Sequence, residues 1–171
     1  MDTLKKYLPW ALVIVVVSTV GVIIFMPAKP AVVPTSQLLG QAYAIQGQDH
    51  IEIGAKHIAY NSNPPTSGPH YTLPAAWGVY QTELPDEQLV HNLEHGGIWI
   101  SYKNIDATTK AALENIARSN PKMIMTPRKN DDANFVLASW GQLQKFDTYN
   151  EAAVLAFIKA NKNQSPEPQA Q

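Results

Sequence analysis

The stretch VHNLEHGG, residues 90–97, concentrates side chains that could do chemistry. His91 and His95 are four apart, Glu94 stands beside the second, and a glycine pair follows. On a helix, residues at i and i+4 share one face, so the two imidazoles could converge on one ion. Imidazole nitrogen suits zinc and copper, and a carboxylate can complete such a set or orient it from outside. Two further histidines could join them. His70 ends NSNPPTSGPH, where three prolines stiffen the backbone and would hold a ring in place at little entropic cost. His50 borders the strand-like HIEIG. The candidate ligand set is therefore His50, His70, His91 and His95, with Glu94 as an oxygen ligand or an outer partner, and the candidate cofactor is copper or zinc.

Two other readings use the same residues. The spacing H-x-x-E-H matches the inverted zinc-protease pattern, in which the glutamate activates a metal-bound water. A metal-dependent hydrolase would then use Glu94 as base and would need an open coordination position and a cleft. Enzymes of that pattern resemble much larger two-lobed domains. Alternatively, the histidines and Glu94 form a hydrogen-bond network inside a structural or protein-interaction domain of an envelope complex. Met123 and Met125 alternate on a strand-like run; thioethers favour Cu(I), but methionine on a strand is more often core filler. His57 is expected at the surface. Ser67 lies in T-S-G-P, outside any nucleophile-elbow pattern, and no glycine-rich phosphate loop occurs.

Composition narrows the chemistry. The chain has 171 residues, a formal charge of −1 and no cysteine. Disulfides, zinc ribbons, iron–sulfur clusters and thiol nucleophiles are thereby excluded. Without a basic run there is no means of neutralising phosphates, so nucleic acid is not an expected partner.

The elements that must position these residues follow from pattern. After Lys5 and Lys6 comes an uncharged apolar run from Leu8 to Met26. As a helix it spans roughly 28 Å, close to a hydrocarbon core. The lysines predict a cytoplasmic N-terminus, residues 1–7, a transmembrane anchor over 8–26, and everything beyond on the outside, in the periplasm or outside the cell. The run exceeds the usual signal-peptide core, so an uncleaved anchor is expected. Pro27, Pro30 and Pro34 mark a stiff linker, residues 27–44. A globular domain follows over 45–161, and the polar KNQSPEPQAQ, from 162, reads as a disordered tail.

Within the domain, HIEIG (50–54) alternates as a strand with Ile51 and Ile53 on one face. PDEQLVHNLEHGG carries helix signals, acids at its start and Gly96-Gly97 as a stop. IWISY (98–102), KMIMT and FVLASW read as strands. DATTKAALENIARSNP reads as a helix capped by Asp106, and residues 150–161 as a last amphipathic helix. Strands and helices without strict alternation predict an α+β domain with a small, mostly antiparallel sheet and two to three helices.

The strings QGQDHIEIGAKHIAYNSNPPTSGPHY, WGVY, VHNLEHGGIWISY and ASWG together resemble one bacterial family, the membrane-anchored or secreted domain of unknown function three-one-zero-five. The resemblance covers residues 46 to about 160. It implies recurrent histidines at His50, His70, His91 and His95, with Glu94 and Gly96-Gly97, but no activity. Many relatives carry a cysteine after the Trp140-Gly141 pair; here Gln144-Lys145-Phe146 stand in that place.

Overall fold

A computed structural model describes residues 37–170. The proposed anchor over 8–26 lies outside the described residues, as does the linker as far as residue 36. Among the described residues no helix is long and apolar enough to cross a membrane.

Three helices and two sheets make an α+β fold. The larger sheet contains β1 (Gln41–Ala42), β4 (Gly78–Val79), β5 (Ile98–Tyr102), β6 (Met123–Pro127), β7 (Phe135–Ser139) and β8 (Gln142–Phe146), in the order β1-β8-β7-β5-β6-β4. It is mostly antiparallel: β1–β8, β7–β8 and β5–β7 run antiparallel, while β4–β6 and β5–β6 are parallel. Adjacent parallel strands need a crossover, and α2 (Ala107–Ser119) supplies it between β5 and β6. Asp106 caps α2 as its type predicts, accepting from the amides of Thr108 and Thr109. The third helix, α3 (Glu151–Asn161), is capped by Asn150.

Alternation along the strands divides the core between two faces. Ile98, Ile100, Met123, Met125 and Leu137 pack with Leu113 and Ile116 of α2 and Phe157 of α3. Trp99, Ile124, Ala138 and Trp140 point the other way, onto Leu89, Val90 and Leu93 of α1 (Asp86–Glu94). Burying these fully enclosed aliphatic and aromatic groups contributes about 1.5–3 kcal/mol each before entropy is counted. The two faces put Met123 and Met125 across the sheet from α1, among core side chains. Their spacing reflects packing.

The structure extends the folded unit at both ends. Sequence reading starts it at 45, yet Gln41 and Ala42 pair with Leu143 and Gln142, and Leu39 exchanges two hydrogen bonds with the Asn161 amide. Two-residue strands carry too little periodicity to be seen in a sequence. The tail beyond 161 is also placed through residue 170: Asn163 N–H donates to the Gly96 carbonyl, and Glu167 N–H to the Glu94 carbonyl. One predicted strand shortens. Only His50 and Ile51 of HIEIG pair (β2), because Gly54 at φ +81° turns the chain away, and Ile53 is left 84% exposed.

Candidate metal centre

The C-terminal half of α1 provides the floor of the site. Leu89, Val90 and Leu93 bury themselves against the sheet, which leaves His91, Glu94 and His95 together on another face. Gly96 and Gly97 end the helix. Gly97 N–H donates to Asn92 O and Gly96 N–H to Leu93 O, the paired bonds of a Schellman motif, with Gly96 in the left-handed region at φ +82°. Gly97 is required for a different reason: a Cβ there would lie 2.5 Å from the Trp77 ring and 2.8 Å from the Asn92 carbonyl. The Asn92 side chain clamps the backbone of Ala75, accepting from its N–H and donating to its C=O, both at 2.9 Å.

The proline-rich loop supplies the opposite wall. Residues 64–70 are buried, and their polar groups are met by neighbours. Gln46 N–H donates to Ser67 Oγ, Gly68 N–H to Gly47 O and Gly141 N–H to Thr66 O. The loop runs into β3 (His70–Tyr71), which pairs in parallel with β2 (His50–Ile51) so that His50 stands directly against His70. Arg128 fastens the loop to α1. Its guanidinium donates to both carboxylate oxygens of Asp86, to Asn63 Oδ1 and to Asp131 Oδ1.

Four of the five sequence-predicted residues meet at this junction: His50, His70, His91 and Glu94 each offer a donor atom, all within 4.8 Å of one another. His50, His70 and His91 stand mutually 4.9–5.0 Å apart by ring centroid. His70, His91 and Glu94 are buried, whereas the His50 side chain is 49% exposed and forms the rim. The fifth residue, His95, adjoins them, its Nε2 lying 2.9 Å from His91 Nε2 and 3.6 Å from Glu167 Oε2. His57 is apart from the cluster and half-buried, with Nε2 3.3 Å from Glu87. That differs from the surface position expected of it, because Glu87 in the first turn of α1 gives it a partner.

Backbone carbonyls fix which nitrogens face inward. A carbonyl can only accept, so His70 Nδ1–H donates to Gly68 O at 2.8 Å and His91 Nδ1–H to Tyr71 O at 2.6 Å. In both rings Nε2 is thereby turned into the cluster, the arrangement in which second partners orient metal-binding histidines. Burial pushes the His91 pKa below its usual value, more than its bond to Tyr71 raises it, and the neighbouring histidines lower it further. His91 is therefore a neutral imidazole at pH 7, the form that offers a lone pair. His70 Nε2 faces Glu94 Oε2 at 3.0 Å, and His50 Nε2 faces the same oxygen at 3.9 Å. With His70 Nδ1 already donating, one proton or one cation must lie between its Nε2 and the carboxylate. The end of α1 adds the negative pole of the helix dipole, which favours positive charge here.

The donor set fits zinc or copper. Ligands about 2.0–2.1 Å from a tetrahedral zinc lie about 3.3 Å from one another, so the widest-spaced of the four donors would close by up to about 1.5 Å around an ion. The His70 and His91 rings are held by carbonyls, and the His50 ring stands at the exposed rim. No thiolate or thioether enters the set. Sequence reading misses the carbonyls of Gly68 and Tyr71, which carry no side-chain signal. It also misses Glu167, a single acid in a stretch that has no periodicity.

The chain belongs to the family described as a protein of unknown function (DUF3105), whose model matches residues 50–171. The match takes in every candidate ligand, including Glu167. Comparison with curated proteins and with solved structures gives no match.

Proposed function

We propose that this domain binds a transition metal, zinc or copper, through His50, His70, His91 and Glu94, and serves as a binding or delivery module rather than a catalyst. One observation carries the reading: three imidazoles from three separate segments turn their rings onto one buried carboxylate. Burying a carboxylate costs several kcal/mol unless positive charge meets it, and a divalent ion bound by neutral rings supplies that charge. Copper exceeds zinc in intrinsic affinity for such nitrogen and oxygen sites, so geometry and metal supply decide between them. His50, half exposed at the rim, gives the ion a path in and out. With Glu94 taken as a ligand beside His70, this reading gives it no role as a hydrolytic base. The apolar run at 8–26 supports a single-pass membrane anchor that holds the domain outside the cytoplasm, among envelope partners.

A second reading has its own observation. The 3.0 Å contact of His70 with Glu94 also suits a protonated histidine in a structural ion pair, within an interaction domain. Metal analysis separates the two. The full chain, purified in detergent and dialysed against zinc or Cu(II), is expected to retain at least one equivalent per chain, and the His70→Ala and His91→Ala variants to lose it. Retention of no metal by the wild-type chain would leave the structural reading standing and remove the metal one.

A further inference from the structure

We infer that the centre has two adjacent cation positions, the second formed by His95, Glu94 and Glu167, with Glu94 shared between them. The inference rests on the first position being a metal site and goes beyond it in the stoichiometry and in the use of the C-terminal segment.

Three observations carry it. The first is spacing. Donor atoms of Glu94, His95 and Glu167 lie within 4.8 Å of one another, a group separate from that of His50, His70 and His91 except for Glu94. Together the two groups offer six donor residues, more than the four that a tetrahedral zinc takes, and they adjoin through His91 and His95, whose Nε2 atoms lie 2.9 Å apart. A carboxylate has two oxygens and can bridge two ions about 3.5–4 Å apart.

The second concerns electron pairs. His91 donates through Nδ1 to Tyr71, so its Nε2 is a bare lone pair, and that nitrogen faces His95 Nε2 at 2.9 Å. His95 Nε2 also faces the Glu167 carboxylate at 3.6 Å. One N–H on His95 serves only one of these two acceptors. The same proton placement leaves His95 Nδ1 buried with no hydrogen-bond partner among the described residues. A cation held by His95 Nε2 and Glu167, with the first ion on His91 Nε2, removes this competition, the single ring proton of His95 then standing on Nδ1.

The third is how the protein holds Glu167. Its N–H donates to the Glu94 carbonyl, and Lys122 Nζ donates to the carbonyls of His95, Pro168 and Ala170. Lys122 thus ties the residues that follow Glu167 to the end of α1. A polar segment with almost nothing apolar to bury is kept over the histidines, with the Glu167 side chain 55% exposed. The second position consequently faces solvent, while the first is buried except at its His50 rim. The two should differ in affinity, with the inner ion bound first and the outer one in exchange with the medium.

Zinc titration of the full chain, read by calorimetry and by native mass spectrometry, tests this. Two equivalents are expected for the wild type and one for Glu167→Gln, with the tighter affinity of the variant within about threefold of the wild type. Circular dichroism on the same samples establishes that the variant is folded. Loading with Cu(II) should give a dipole-coupled pair by electron paramagnetic resonance at two equivalents and an isolated ion in Glu167→Gln. A wild-type stoichiometry of one overturns the second position and leaves the first intact. Two equivalents retained by Glu167→Gln also overturn it, and no bound metal at all overturns both positions.

Discussion

At the scale of single residues, the centre depends on which ring nitrogen each histidine turns inward. Gly68 and Tyr71 fix this for His70 and His91 through their carbonyls. His70→Ala removes a fully buried donor and should weaken zinc binding by at least about a hundredfold. Glu94→Gln keeps the shape but removes the charge, and should cost about 10–100-fold, as outer or charged partners of a metal site commonly do. Both are read by competition with a chromogenic chelator. Asn92→Ala tests positioning apart from ligation. It strands the buried N–H and C=O of Ala75 and should destabilise the domain by about 1–3 kcal/mol in urea unfolding. The gathering of His50, His70, His91 and Glu94 was legible, since histidines near turns with an acid beside one of them stand out in the sequence. The orienting carbonyls were not, because every residue has one and only the fold selects which is used.

At the scale of elements, the end of α1 and the proline-rich loop form the site by meeting. Gly97→Ala would push a methyl group into the Trp77 ring and the Asn92 carbonyl, so a loss of about 1–3 kcal/mol is expected, with weaker metal binding as the turn shifts. Urea unfolding and zinc titration on one preparation check both effects. Asp106 offers a pH test elsewhere in the fold. Hydrogen bonds from Thr109, backbone first and then side chain, hold its carboxyl below its ordinary value of 3.8. Its stabilising effect is therefore fully present above that value and disappears as the pH falls through the lowered one. Asp106→Ala should melt below the wild type at pH 7, and the gap should close under acid conditions. Helix ends and long strands were readable from caps, glycines and alternation, and Asp106, Gly96 and IWISY all appear where expected. The short strands β1, β3 and β4 were not, since pairing of two residues is decided by distant partners. The strand β8 was masked because QLQKF mixes polar and apolar residues at the sheet margin.

At the scale of the whole molecule, the described domain closes on itself through its ends. Leu39 bonds to Asn161, and residues 163–170 fold back over α1. Deleting residues 163–171 should lower the melting temperature and remove the solvent-facing metal position, with the inner one kept. A compositional reading places this segment outside the fold because it lacks apolar residues, yet its contacts are backbone hydrogen bonds and Lys122, which composition does not register. Metal should also stabilise the native state by mass action, by about 2.7 kcal/mol when free zinc is a hundredfold above its dissociation constant. The measurement that bears most directly on the account is zinc K-edge X-ray absorption of the full chain loaded with one equivalent. Three imidazole nitrogens and a carboxylate oxygen at about 2.0–2.1 Å are expected, with the imidazole signal reduced in His50→Ala. Zinc lost on gel filtration, or a shell of oxygen alone, would contradict a histidine-built metal centre.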